Sequence, residues 1–117
     1  MDLTALQNQL REFARERDWE QFHSPKNLAA ALSVEASELL EIFQWMTEEE
    51  SNSLDDKAAQ SVADEIADVQ IYLARIADRL GIDIESAVTA KLKVNREKYP
   101  ADKVKGRADK YTTYSED

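Results

Sequence analysis

VEASELLEIFQW, residues 34–45, decides how this chain is read. Set on a helix at about 100° per residue, Leu28, Leu32, Leu39, Ile42 and Met46 fall within about 40° of one line, the apolar stripe that faces a core. Glu35 lies inside that stripe. Glu38 stands about 80° to one side with Trp45 close beneath it, so the acids of Glu35-Ala-Ser-Glu38 point into one region from adjacent turns. An ionised carboxylate at a core position is costly unless it is paired with a cation or binds a metal. The helix is expected to be built around a cation.

Downstream of this stretch, Thr47 followed by Glu50 has the spacing of a capping box within a polar link, and Asp55 or Asp56 offers the start of another helix. Its apolar positions, Val62, Ile66, Val69, Leu73, Ile76 and Leu80, alternate steps of four and three and predict a core-facing stripe that ends at Gly81 as a left-handed cap. Ser61, Glu65, Asp68 and Tyr72 share one flank of it. Glu65-Ile-Ala-Asp68 therefore repeats the geometry of Glu35 and Glu38, and two neighbouring helices would offer four carboxylates to one gap.

Upstream, Leu3, Leu6, Leu10 and Phe13 predict a helix from about Asp2 to Arg17. The segment DWEQFHSPKN breaks its pattern, with Ser24 as cap and Pro25 at the first position of the second helix, which is expected to run to about Met46. Trp19, Phe22 and His23 then sit on a connection, and His23 reads most simply as a surface or capping residue. Asp83 is a candidate cap for the last long helix, which Pro100 must end. Its inner line, Ile84, Val88, Lys91 and Asn95, with Lys98 further on and Leu92 to one side, is expected to be core in its first half and polar in its second.

Two glycines, two prolines and long runs of good helix formers predict an all-α fold, and the short connections predict a four-helix bundle. At 117 residues one domain is expected. We divide it into a helical catalytic domain, 1–99, and an extended or partly disordered basic tail, 100–117. The net charge of −9 argues against nucleic-acid or membrane-surface binding, because both partners are polyanionic. Residues 91–110 run against this trend, locally positive by five, and by default form a solvated end; the functional reading is a flap carrying Tyr111 over an anionic ligand. The lack of cysteine excludes thiolate metal sites and fits a reducing cytoplasm, and one histidine disfavours zinc.

Four carboxylates without histidine or cysteine describe an all-oxygen site suited to Mg²⁺ or Mn²⁺. Mg²⁺ usually keeps waters and substrate phosphates as ligands, and Lys91, Asn95, Arg96 and Lys98 supply donors for such phosphates. The plainer reading is structural, with Glu35 paired to Lys91 and the other acids solvated. Trp19, Trp45 and Tyr72 are by residue type packing anchors; Trp45 and Tyr72 each follow an acid pair on the same flank, where a base would stack beside metal-bound phosphates.

These residues resemble the MazG-like all-α nucleoside triphosphate pyrophosphohydrolases, whose signature Glu-x-x-Glu, spacer, Glu-x-x-Asp is matched by Glu35, Glu38, Glu65 and Asp68. The segments DWEQFHSPKNLAAALSVEASELLEIFQW, DEIADVQIYL, KLKVNREKYP and KGRADKY are similar to the dCTP pyrophosphatase subgroup, over nearly the whole chain. The resemblance implies Mg²⁺-dependent cleavage between the α and β phosphates of dCTP or a related, base-modified pyrimidine nucleotide. It implies catalytic and metal roles for the four acids, triphosphate contacts from Lys91, Asn95 and nearby cations, and a base pocket including Trp19, Trp45 and Tyr72. A homotetramer, a dimer of dimers with sites completed across subunits, and a role in cleansing the nucleotide pool are also implied. The alternative is a regulatory helical module that binds nucleotides without hydrolysing them.

Overall fold

The computed structural model describes residues 1–109 and 111–113, and Tyr111 only by its backbone. Lys110, the Tyr111 ring of the flap reading, and 114–117 lie outside the described residues. Every regular element among the described residues is helical: α1 (Leu3–Glu16), α2 (Pro25–Phe43), α3 (Glu48–Ser51), α4 (Asp56–Leu80), α5 (Ile84–Lys98) and α6 (Ala101–Val104). Short 3-10 turns occupy Glu20–Phe22 and Tyr111–Thr113. The all-α expectation holds. No helix among the described residues is long and apolar enough to cross a membrane.

The helix starts are made by local chemistry. Asp2, Ser24 and Asp55 accept from the backbone N–H three residues on, at 3.0, 3.1 and 2.8 Å. Pro25 begins α2, and Thr47 and Glu50 form the reciprocal capping box of α3, so α2 stops at Phe43, short of Met46. Gly81 ends α4 at φ 66°, where a left-handed residue lets Ile82 donate back to Ala77 at 2.8 Å. Asp83 stands at the start of α5, but its carboxylate accepts from Ser86 Oγ at 2.6 Å instead of from the helix backbone. A hydroxyl within reach has displaced the expected cap.

The end of α1 carries a feature that its sequence pattern hides. Asp18 adopts φ 55°, Asp18 N–H donates to Arg15 O at 3.1 Å, and Trp19 N–H donates to Ala14 O at 2.9 Å. This is a Schellman ending with an aspartate in the glycine position. The turn lays the Trp19 ring edge-on against Phe13, with centroids 5.7 Å apart.

The chain divides into two compact units, Met1–Ile82 and Asp83–Asp117. In the first, α2 packs along α4 and α1 lies on α4. Leu28 is fully buried and Leu32, Leu39, Ile42 and Met46 are half-buried, so the stripe of α2 faces inward as expected. The stripe of α4 divides: Val62, Val69 and Ile76 are half-buried, Ile66, Leu73 and Leu80 are exposed, and the buried positions are Ala74, Arg75 and Ala77. The small side chains at 74 and 77 let α1 approach closely enough for Gln7 Nε2 to donate to Ala74 O at 3.1 Å.

In the second unit α5 runs from Ile84 to Lys98 and is ended by Tyr99-Pro100. Of the core expected in its first half, Ile84 is half-buried and Val88 exposed; Leu92, to one side, is exposed as well. Beyond it α6 forms one turn, and Arg107 pairs with Asp109 at 2.6 Å.

Candidate active site

Pairing α2 with α4 brings Glu35, Glu38 and Glu65 together, each presenting a carboxylate oxygen within 4.8 Å of the others. Glu35 and Glu38 come from adjacent turns of α2, and Glu65 faces them from α4. Oε2 of Glu35 and Oε2 of Glu65 are buried without a hydrogen-bond partner among the described residues. Three carboxylates cannot satisfy one another, since each ionised group only accepts. A proton held between them, or a cation, is what the cluster lacks.

The titration of these groups states the same imbalance. Glu35 is pushed above the ordinary glutamate range by its hydrogen bond with Glu65, then by burial, with Asp68 adding its charge. Glu38 is raised by its hydrogen bond with Glu35, by that neighbour's charge, and by burial. For Glu65 the hydrogen bond with Glu35 works downward, but burial and the charges of Glu38 and Asp68 outweigh it. Asp68 thus acts on the cluster electrostatically, while standing outside the group of three closest oxygens. Clustered oxygen donors with orphaned buried atoms fit a hard divalent cation, and Glu35, Glu38 and Glu65 are the residues that would hold it.

Further along the same flank of α4 lies a cavity of about 260 Å³, walled by Phe13, Trp19, His23, Ile71, Tyr72 and Arg75. Tyr72 follows Glu65 by seven residues, about 10 Å along the helix at 1.5 Å per residue. Trp19 and Tyr72, expected together, do line one pocket. Trp45 is not among its lining residues and is 87% exposed at the end of α2. Another cleft, beside Met46, Glu49, Glu50 and Asp55, is lined by acids and suits no anion.

Two residues of the cavity went unrecognised in the sequence. His23, read as a surface or capping residue, is half-buried in the wall, and its Nδ1 stands 3.4 Å from Arg75 Nη2. Arginine has no acceptor, so Nδ1 accepts and the neutral ring carries its proton on Nε2. Burial, then the charges of Arg75 and Arg79, hold His23 below its usual pKa, consistent with that neutral form. Arg75 was findable: continuing the flank Ser61, Glu65, Asp68, Tyr72 by one step of three lands on it.

Lys91, Asn95, Arg96 and Lys98 all lie on α5, in the second unit; Asn95 and Lys98 are half-buried, Lys91 and Arg96 exposed.

A model of the MazG-like family matches residues 30–113. The chain is 45% identical over 103 residues to dCTP pyrophosphatase 1 of Rattus norvegicus, and 44% identical over the same length to that of Homo sapiens. Each alignment covers 86% of this chain and 61% of the relative, so the chain spans about three fifths of the length of the curated relatives it matches. Among solved structures, a pyrophosphatase from Archaeoglobus fulgidus is similar at a TM-score of 0.80 and 42% identity, covering 86% of this chain and 94% of that one.

Proposed function

The chain belongs to the MazG-like family, and we propose that it is a Mg²⁺-dependent pyrophosphohydrolase. It cleaves dCTP, or a related base-modified pyrimidine deoxynucleotide, between the α and β phosphates to give the monophosphate and pyrophosphate. The observation that carries this reading is the cluster of Glu35, Glu38 and Glu65, with two buried oxygens that no donor satisfies. The similarity to dCTP pyrophosphatase 1 supports the choice of substrate.

When bound, Mg²⁺, or Mn²⁺ in its place, supplies neutralising charge to the triphosphate and makes a nearby water more acidic. Glu35 and Glu65, half-buried on facing helices, fix the position of the charge; Glu38 or Glu65 orients the attacking water and takes its proton. Asp68 adds the fourth negative charge of the site. Lys91, Asn95, Arg96 and Lys98 donate to the triphosphate oxygens, a role supported by their residue types and by the spacing of Lys91, Asn95 and Lys98 along one line of α5. Trp19 and Tyr72 stack on the base.

We also read the exposed Ile66, Leu73 and Leu80 as a surface covered by other copies in a homotetramer, a dimer of dimers. Trp45, the third base contact of the reading, is then supplied to a neighbouring subunit's pocket. The cellular role is nucleotide house-cleaning in the cytoplasm, supported by the absence of cysteine from the sequence.

The test is incubation with Mg²⁺ and each common nucleoside triphosphate, with products separated by chromatography. Monophosphate and pyrophosphate, fastest from dCTP, are expected. Glu38→Ala and Asp68→Ala are expected to abolish turnover while leaving helical content intact, and wild-type rates from both would refute the assignment. Tight dCTP binding without pyrophosphate release would instead favour a non-hydrolysing nucleotide module.

A further inference from the structure

Arg75 is a cation in the wrong place for a purely structural role. It is 3% exposed, on the wall of a cavity otherwise made of aromatic and aliphatic groups. A guanidinium carries five N–H donors and stays protonated in a protein. Among the described residues these donors meet only two acceptors, both at long range: His23 Nδ1 at 3.4 Å and Asp78 Oδ2 at 3.5 Å. Its Nε is buried without a partner. Asp78 neutralises it only in part, because Arg11 also holds that carboxylate at both oxygens, at 2.6 and 2.5 Å. Two cations share the Asp78 carboxylate, Glu20 adds its charge to Arg75 without a hydrogen bond between them, and the inner cation has donors to spare.

We propose that Arg75 is a specificity-determining residue that donates to a carbonyl oxygen on the aromatic ring held between Trp19 and Tyr72. The inference rests on the reading of that cavity as the base pocket and adds to it the group that selects the base. A buried guanidinium accepts nothing, so it rewards a ring edge that presents an acceptor and penalises one that presents an amino group. The carbonyl is the strongest neutral acceptor a nucleobase carries. Of the common bases adenine alone has none, and cytosine has a single one beside its sugar. His23, neutral with its proton on Nε2, has Nδ1 as its one ring acceptor, which engages a single Arg75 donor at long range and leaves the others for the ring.

The test needs no catalysis. The whole chain, without metal, is titrated calorimetrically with dCMP and with its 2-thio analogue, in which the carbonyl oxygen is replaced by sulfur, a poor acceptor. The wild-type chain is expected to bind dCMP about ten- to a hundredfold more tightly, the effect of one charge-assisted hydrogen bond. Arg75→Met is expected to bind the two alike, and Arg75→Lys to recover part of the difference. Should the methionine variant fail to fold, the lysine variant against wild type carries the comparison.

Equal affinities in the wild type, or full discrimination surviving in both variants, would overturn the proposal. The outcome separates from that of the proposed reaction. Discrimination in a chain that releases no pyrophosphate from dCTP would refute the reaction and leave Arg75 in its role. Hydrolysis of dCTP by a chain indifferent to the sulfur would do the reverse.

Discussion

Asp78 shows how one carboxylate holds together a part of the molecule that hydrophobic packing does not. Its side chain joins Arg11 of α1 to Arg75 of α4, and the Arg11 hydrogen bonds hold its pKa below the usual aspartate value. Asp78→Asn leaves the buried guanidinium of Arg75 without its anion and is expected to cost about 3 kcal/mol in urea unfolding. Adding Arg75→Met should restore most of that, since the double variant buries no unpaired charge. The pH dependence follows from the sign of the shift. The folded Asp78 binds its proton less tightly than the unfolded one, so its contribution is complete above the ordinary aspartate pKa and is lost as pH falls through the depressed value. Glu35, Glu38 and Glu65 behave oppositely, because their raised values make the metal-free folded state bind protons more tightly. The melting temperature of the metal-free chain is therefore expected to fall as pH rises above the ordinary glutamate range, less so in Glu35→Gln. Scans from about pH 2 to about pH 8, which extend below the ordinary aspartate value and above the ordinary glutamate value, check both signs. The three glutamates were legible from spacing alone, as an acid inside an apolar stripe. Arg75 and the role of His23 were not read, because a lone cation between Ala74 and Ile76 gives no period of its own until the flank is followed past Tyr72.

At the level of the element, caps were the most readable part of the chain. Ser24-Pro25, Thr47 with Glu50, Asp55 and Gly81 each use a side chain or a backbone freedom that few residues possess. Gly81 is the sharpest case. Its φ of 66° strains an L residue, while a Cβ added there would meet nothing within 4 Å, so the cost of substitution is backbone strain alone. Gly81→Ala is expected to lower stability by about 1 kcal/mol, and Gly81→Asn by about half as much, in thermal or urea melts. Asp18 performs the same function at the end of α1 but escaped notice, because aspartate also reads as an ordinary turn residue. The cap of α5 was misread for a related reason: a hydroxyl three residues away competes for the same carboxylate.

Across the whole molecule, the heptad of α4 was plain in the sequence but its partner was not. A repeat of apolar residues states that a face is covered and is silent about what covers it. Within Met1–Ile82, α1 and α2 pack on α4, Ala74 and Ala77 are buried, and the line Ile66, Leu73, Leu80 is left at the surface. If other copies cover that line, Leu73→Glu is expected to yield a smaller species in sedimentation, with a melting temperature several degrees lower. The three glutamates supply a second global lever. Mg²⁺ at one hundred times its Kd should add about 2.7 kcal/mol to stability, and chelation should remove it. Differential scanning in Mg²⁺ and in EDTA reads this directly; identical curves would show that the cluster holds no metal.

Among the described residues, the buried apolar side chains are three alanines and one leucine. Such an interior leaves a lone subunit close to the edge of persistence, so on the proposed assembly its survival depends on meeting its own kind. A cell that halves the synthesis of this protein would then retain less than half of it, since a larger share of the newly made chains would reach the proteases before reaching a partner. Dosage, in that case, is felt more than proportionally.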